Sequence, residues 1–209
     1  MKKFFSISPF QPVSPNKGAL QAYVYKAMDN DLLQYNKKIS FPILAVINAY
    51  AEKDEEIEVY MVVPEYNNSI QHYEEFKRQL DELKKEKEFK FALKEVSVNY
   101  DDSLDTLLDL FQKLLDCVCE DDKLYMCITY GSKPMPIVQI MAINYAYRVF
   151  QNVRIGAIAY GKLDHESKEP FIYDVTSLFY LDEIVRTLAQ NKVKNPKEII
   201  KKLINVEEV

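Results

Sequence analysis

Glycine is scarce in this chain, four residues among 209, and none of the four stands in a Gly-x-Gly-x-x-Gly or Walker A pattern. The phosphate cradles by which dinucleotides and nucleoside triphosphates are ordinarily held are therefore missing as motifs. Cysteine is equally sparse. Cys117, Cys119 and Cys127 form neither an even disulfide framework nor a zinc-ligand spacing, so they read as small hydrophobes in a reducing compartment, with no metal and no cofactor expected. No apolar run approaches the length of a membrane span, and the stretch after Lys2 and Lys3 is too short for a signal-peptide core. The expectation is a soluble, cytoplasmic protein with no membrane partner. Positive charge is also in deficit. The net charge of −5 argues against duplex DNA as a partner, while a local site for an anion remains open.

What the chain does have is alternation. With 48% hydrophobic and 28% charged residues it can bury the core of one compact domain. Apolar runs alternate with amphipathic stretches, and prolines and glycines fall at the junctions. That is the pattern of an α/β fold, Rossmann-like, with a mostly parallel central sheet flanked by helices. Strands are expected at residues 3–8, 57–63, 91–98, 124–129, 154–160 and 171–173, with a short extra strand within 19–26. Helices are expected at 40–51, 69–87, 103–119, 135–150, 178–190 and 196–204. The loop at 9–18 is too rich in proline to continue either. Residues 1–190 read as one domain and 191–209 as a helical extension or a connector.

The informative segment runs from Leu124 to Val138, where an apolar strand meets a glycine, a cap residue, a cation and two prolines before an apolar helix. Gly131 permits positive φ and close backbone approach, and Ser132 is expected to cap the helix. Pro134 and Pro136 are tolerated in a first turn, where their missing N–H groups are not needed. Exposed amides at the helix start favour an anion, and Lys133 adds a point charge for phosphate. In a parallel sheet the carboxyl end of a strand is also where ligands collect. Junctions of this kind occur as plain tight turns too, and local chemistry leaves both readings open.

The run Cys127-Ile128-Thr129-Tyr130-Gly131-Ser132-Lys133-Pro134 resembles the Asp-x-Thr-His-Gly segment of CRISPR-associated Rossmann-fold (CARF) proteins. Further on, Tyr160-Gly161 matches a Tyr-Gly pair of that family, and Asp174-Val175-Thr176-Ser177-Leu178-Phe179 follows it. Element order agrees along nearly the whole chain, with the strongest match at residues 124–188. Cys127 stands where the family often has aspartate and Tyr130 where it often has histidine, so detailed catalytic roles do not carry over.

The resemblance implies a homodimer whose two turns flank a two-fold axis and hold one cyclic oligoadenylate, the tetra- or hexa-adenylate messenger of type III CRISPR antiviral defence. Thr129, Tyr130, Gly131, Ser132, Lys133 and Pro134 would form one wall of that site. Ser6, Ser8, Phe10 and Gln11 lie where the family's first-strand loop meets the ligand. Phe10 is suited to stack on a base, and Gln11 and Asn16 to read an adenine edge. Tyr130 either stacks likewise or plugs the core. The helix at 135–150 offers only Gln139, Asn144 and Arg148 as clearly polar positions, which suits cover on two sides, by the sheet and by a partner subunit.

Family members often carry a fused ribonuclease with arginine four to six residues before a histidine. Neither His72 nor His165 has that arginine, so any such effector lies outside this chain. Three readings stand: a sensor domain or stand-alone regulator that binds the ring; a ring nuclease that cleaves it by metal-independent 2′-hydroxyl attack; and a generic α/β nucleotide-binding protein. For cleavage, Lys133 would stabilise the developing phosphorane charge while Ser6 or Ser8 positions the ribose.

Overall fold

The computed structural model of the chain describes residues 1–10, 20–66, 69–164 and 166–204. In chain order its elements are β1 (Lys2–Ile7), β2 (Lys26–Ala27), α1 (Ile43–Tyr50), β3 (Glu56–Pro64), α2 (Ser69–Lys87), β4 (Lys90–Val98) and α3 (Leu104–Asp116). They continue with β5 (Lys123–Cys127), α4 (Pro134–Val149), β6 (Arg154–Leu163), β7 (Pro170–Asp174), α5 (Thr176–Gln190) and α6 (Pro196–Ile204).

The strands form one sheet in the order β2-β7-β6-β5-β1-β3-β4. β4, β3, β1, β5 and β6 run parallel, and β7 returns antiparallel to β6. This is the expected Rossmann-like α/β architecture. From β1 the chain winds outward to β3 and β4, then crosses back to β5 and winds the other way, so the order reverses between β1 and β5. Their carboxyl ends border the crevice where such sheets bind ligands.

β1 is the central one of the five parallel strands and is buried on both faces. Its register is pinned by two cross-strand aromatic stacks that alternate with the pleat. Phe4 lies on Tyr125 of β5, with ring centroids 4.6 Å apart, and Phe5 lies on Tyr60 of β3 at 4.9 Å. A one-residue slip would exchange the two faces and break both stacks. The Phe4 face joins Val59, Met61 and Cys127 to Ile43, Leu44 and Ile47 of α1 and to Phe76 and Leu80 of α2 in one core. On the Ile7 face lies α4, whose Met135 Cβ comes within reach of Gly131 beside Ile7.

Helix starts follow local chemistry. Ser103 caps α3 by accepting a hydrogen bond from Thr106 N at 3.3 Å, and Pro42 stands at the cap position of α1, which therefore begins at Ile43. The extra strand differs from its expected place at 19–26. Tyr23 forms only an isolated bridge to Ile39, and the strand proper is Lys26–Ala27, paired with β7. On the edge facing away from β7, Gln34 Oε1 accepts from Ala27 N at 3.0 Å and covers a donor that the sheet does not pair.

The chain divides into two compact units, Met1–Asp174 and Val175–Val209. The second comprises α5 and α6, which enclose an apolar groove lined by Val185, Leu188, Val193 and Ile200. Among the described residues no helix is long and apolar enough to cross a membrane.

Candidate functional site

β5 ends at Cys127, and the next residues are held by backbone and side chain together. Ile128 N donates to Ala159 O at 3.0 Å, which extends the ladder with β6 by one bond. Thr129 Oγ1 then accepts from Gly161 N at 2.7 Å and lies 3.0 Å from Cys127 Sγ. Gly161 is needed for this approach, since a Cβ there would come within 2.4 Å of Pro42 Cγ. The Tyr-Gly pair and the threonine seen in the sequence thus meet as one unit. Cys127 is fully buried, and burial pushes its thiol up, so it is packing rather than a nucleophile.

Tyr130 turns inward. Its hydroxyl donates to Ser40 O at 2.7 Å, its ring lies edge-on to Phe41, and burial holds its hydroxyl well above the usual phenol range. The next residue reverses the chain: Gly131 has φ +99°, and a Cβ there would lie 2.9 Å from Ile7 Cγ2. Both the conformation and the space call for glycine. This contact also seats the turn on the end of β1.

Ser132 does not cap α4 as expected. Its hydroxyl donates to Asp102 Oδ1 in the loop before α3, and the cap position falls to Lys133, which makes no side-chain cap bond. An acceptor carboxylate thirty residues away outcompetes the local amide, and nothing in the sequence near the turn announces it. With Pro134 and Pro136 lacking N–H groups, Met135 N donates to Ser132 O at 3.1 Å. Among the described residues no acceptor meets the backbone N–H of Gly131, Ser132 or Lys133. These donors open at the start of a sixteen-residue helix, where the dipole favours negative charge. Lys133 is exposed and, among the described residues, pairs with no carboxylate. Asp102 opposes an anion here, although one of its oxygens is engaged by Ser132.

The first-strand loop is placed less openly. Ser6 and Ser8 are buried, at 2% and 0% exposure, in the body of the sheet. Ser8 N continues the ladder to Val62 O at 2.8 Å, while Ser8 Oγ finds no hydrogen-bond partner among the described residues; the nearby Tyr66 hydroxyl donates to Pro9 O instead. Phe10 is half-buried and packs edge-on against Tyr66 and Tyr100, at 5.7 and 5.3 Å. These three rings follow β1, β3 and β4 and form an aromatic cluster along the carboxyl edge that periodicity does not reveal. Gln11 and Asn16 lie outside the described residues. Among the described residues no group of His, Cys, Asp and Glu is arranged to hold a metal ion.

Beyond Thr129 the carboxyl edge opens into a cleft of about 310 Å3 walled by Tyr23, Tyr25, Tyr130 and Tyr160, with Lys162 at its rim. Tyr25 is almost fully buried, and burial pushes its hydroxyl up to about 12.

No family model matches the chain. Over 102 residues, 48% of its length, it is 28% identical to a CRISPR-associated protein of Methanocaldococcus jannaschii. The chain is thus similar to a CRISPR-associated protein. The matched stretch covers 16% of that relative's length, so the CRISPR-associated relative is a much longer chain.

Proposed function

We propose that this chain acts in CRISPR antiviral defence by binding a cyclic oligoadenylate, the tetra- or hexa-adenylate, as a sensor domain or stand-alone regulator. The observation that carries the reading is the turn itself, where the N–H groups of Gly131, Ser132 and Lys133 and the Lys133 ammonium stand, among the described residues, without acceptors at the switch point of the sheet. A run of amides plus one cation suits a phosphodiester oxygen. Similarity to a CRISPR-associated protein gives that anion a biological context.

A second feature supports a symmetric pair. Ile137, Met141, Tyr145 and Val149 repeat every four residues along α4 and are between 42% and 59% exposed. Leu104 and Leu108 add to this surface from α3, which meets α4 where Phe111 lies edge-on to Tyr145. A contiguous apolar stripe of this kind marks an interface in proteins that stay dissolved. It starts one turn beyond Lys133, so a two-fold axis along α4 would bring two anion-binding turns together around one ring.

Binding is proposed ahead of cleavage. The nuclease reading asks Ser6 or Ser8 to position a ribose, and both hydroxyls lie inside the sheet. Without such positioning the in-line geometry that 2′-hydroxyl attack requires is not set by these side chains. The expected outcome is that cyclic tetra- or hexa-adenylate raises the melting temperature while linear adenylates and ATP do so far less. Chromatography of the incubated ring for linear products ending in 2′,3′-cyclic phosphate separates binding from turnover. An unchanged melting temperature with every ring would overturn the proposal.

A further inference from the structure

We infer that the tyrosine-walled cleft beside Thr129 is a nucleobase subsite, which takes the base of a nucleotide whose phosphate rests on the Gly131–Lys133 turn. The inference rests on the phosphate-binding reading of the turn and extends it to the group that gives such a ligand its identity.

Four observations lead to it. First, the cleft and the turn share residues. Thr129 and Tyr130 line the cleft and immediately precede Gly131, and the bond from Gly161 N to Thr129 Oγ1 fixes the wall between them. Second, its size of about 310 Å3 is at the lower end of pockets that enclose small ligands. Third, among the described residues its lining contains four phenol rings and no carboxylate, and its one cation is Lys162. Aromatic rings stack on any base, and an absence of negative charge in the wall avoids repelling the phosphate that follows.

Fourth, the rings divide by their state. Tyr130 spends its hydroxyl on Ser40 O and Tyr25 is 5% exposed, so these two form a fixed floor. Tyr160 is 37% exposed, and its ring is held nearly parallel to Tyr173, with a 27° interplanar angle. It therefore presents a preset face, which lowers the ordering cost of stacking. Gln21, exposed on the rim, brings an amide able to donate to and accept from the edge of an adenine.

The test uses adenosine 5′-monophosphate as probe, with saturation-transfer difference NMR to read which of its protons touch the protein. Wild-type protein is expected to transfer saturation to adenine H2 and H8 more than to the ribose protons. Tyr160→Leu, at a partly exposed position, should reduce that transfer at least fivefold, and Tyr23→Leu serves as a second variant should the first fail to fold. Lys133→Ala should keep the adenine signals at a higher nucleotide concentration. Equal transfer in wild type, Tyr160→Leu and Tyr23→Leu, or none in wild type at millimolar nucleotide, overturns the inference. If rings raise the melting temperature of wild type and Tyr160→Leu alike, the subsite fails and the ring reading stands. Tyrosine-dependent saturation by the mononucleotide with no response to any ring removes the ring reading and leaves the subsite.

Discussion

The two ends of the central strand have opposite characters. At the amino end of β1 the charges are matched. Lys3 is 5% exposed, and its Nζ lies 2.9 Å from Asp122 and 3.3 Å from Glu58 and donates to Cys117 O at 2.8 Å. Lys2 reaches Tyr50 O, Glu52 and Glu55, each within 2.9 Å. At the carboxyl end, six residues along, Ser8 Oγ is buried without a partner among the described residues, and the neighbouring turn there leaves three amides and the Lys133 ammonium open. The amino end thus uses its polar groups to hold strands together, whereas the carboxyl end keeps donors in reserve. One strand serves both because the five parallel strands β4, β3, β1, β5 and β6 put the loops that precede them on one edge and the loops that follow them on the other.

If the division is real, substitutions at the two ends should separate stability from binding. The largest effect is expected from Asp122→Ala, which removes the nearest carboxylate of a buried ammonium. The loss should be about 3 kcal/mol in urea unfolding, with ring affinity of the folded protein unchanged. A parallel loss of affinity would show that the two edges are coupled. Gly131→Ala comes next and acts at the other end. With φ at +99° and Ile7 Cγ2 2.9 Å from the new methyl, it should weaken ring binding about tenfold and cost about 1–2 kcal/mol of stability.

The pH dependence of stability should belong to the amino edge. Burial alone would raise the Glu58 carboxyl, but hydrogen bonds from Lys94 and Tyr60 and the charge of Lys3 outweigh it and bring the group to about 2. A carboxyl depressed on folding contributes stability in full above its unfolded value of about 4.3 and loses it as the pH falls towards 2. Burial likewise opposes the charge on Lys3, yet the Asp122 hydrogen bond and charge raise it overall, so its contribution holds until the pH climbs past the ordinary lysine range. Urea midpoints should accordingly be level between about pH 5 and 9 and fall below about 4, and Glu58→Gln should flatten the acid limb. The smallest effect is expected from Asp102→Asn. Removing the carboxylate beside the turn should tighten ring binding about threefold at low salt and by less at high salt, as titrations at two ionic strengths would show.

Much of this division was legible in the residues. Alternating apolar runs set the strand and helix order, and the run from Leu124 to Pro136 marked the turn, because strand, glycine and proline each carry a local conformational signal. Signals that depend on distant partners were not legible. Ser132 is a good helix cap by type, yet Asp102 draws it away across thirty residues. Ser6 and Ser8 fall in the strand expected at 3–8 and reach the ligand only through the resemblance, whereas the sheet buries both hydroxyls. Tyr23, Tyr25 and Tyr160 look like strand aromatics, and only the sheet order, which sets β6 and β7 beside the chain at 20–27, gathers them around one cleft.

The central claim is that the turn at Gly131–Lys133 grips a phosphodiester of a small RNA ring shared by two copies of the chain. Isothermal titration of the wild type with cyclic tetra- and hexa-adenylate, alongside light scattering of the same sample, tests it most directly. The account predicts saturation at about one ring per two chains in a dimeric sample, with affinity reduced about tenfold or more by Lys133→Ala. A monomer that takes up no ring, or a Lys133→Ala variant that binds as tightly as the wild type, would contradict it.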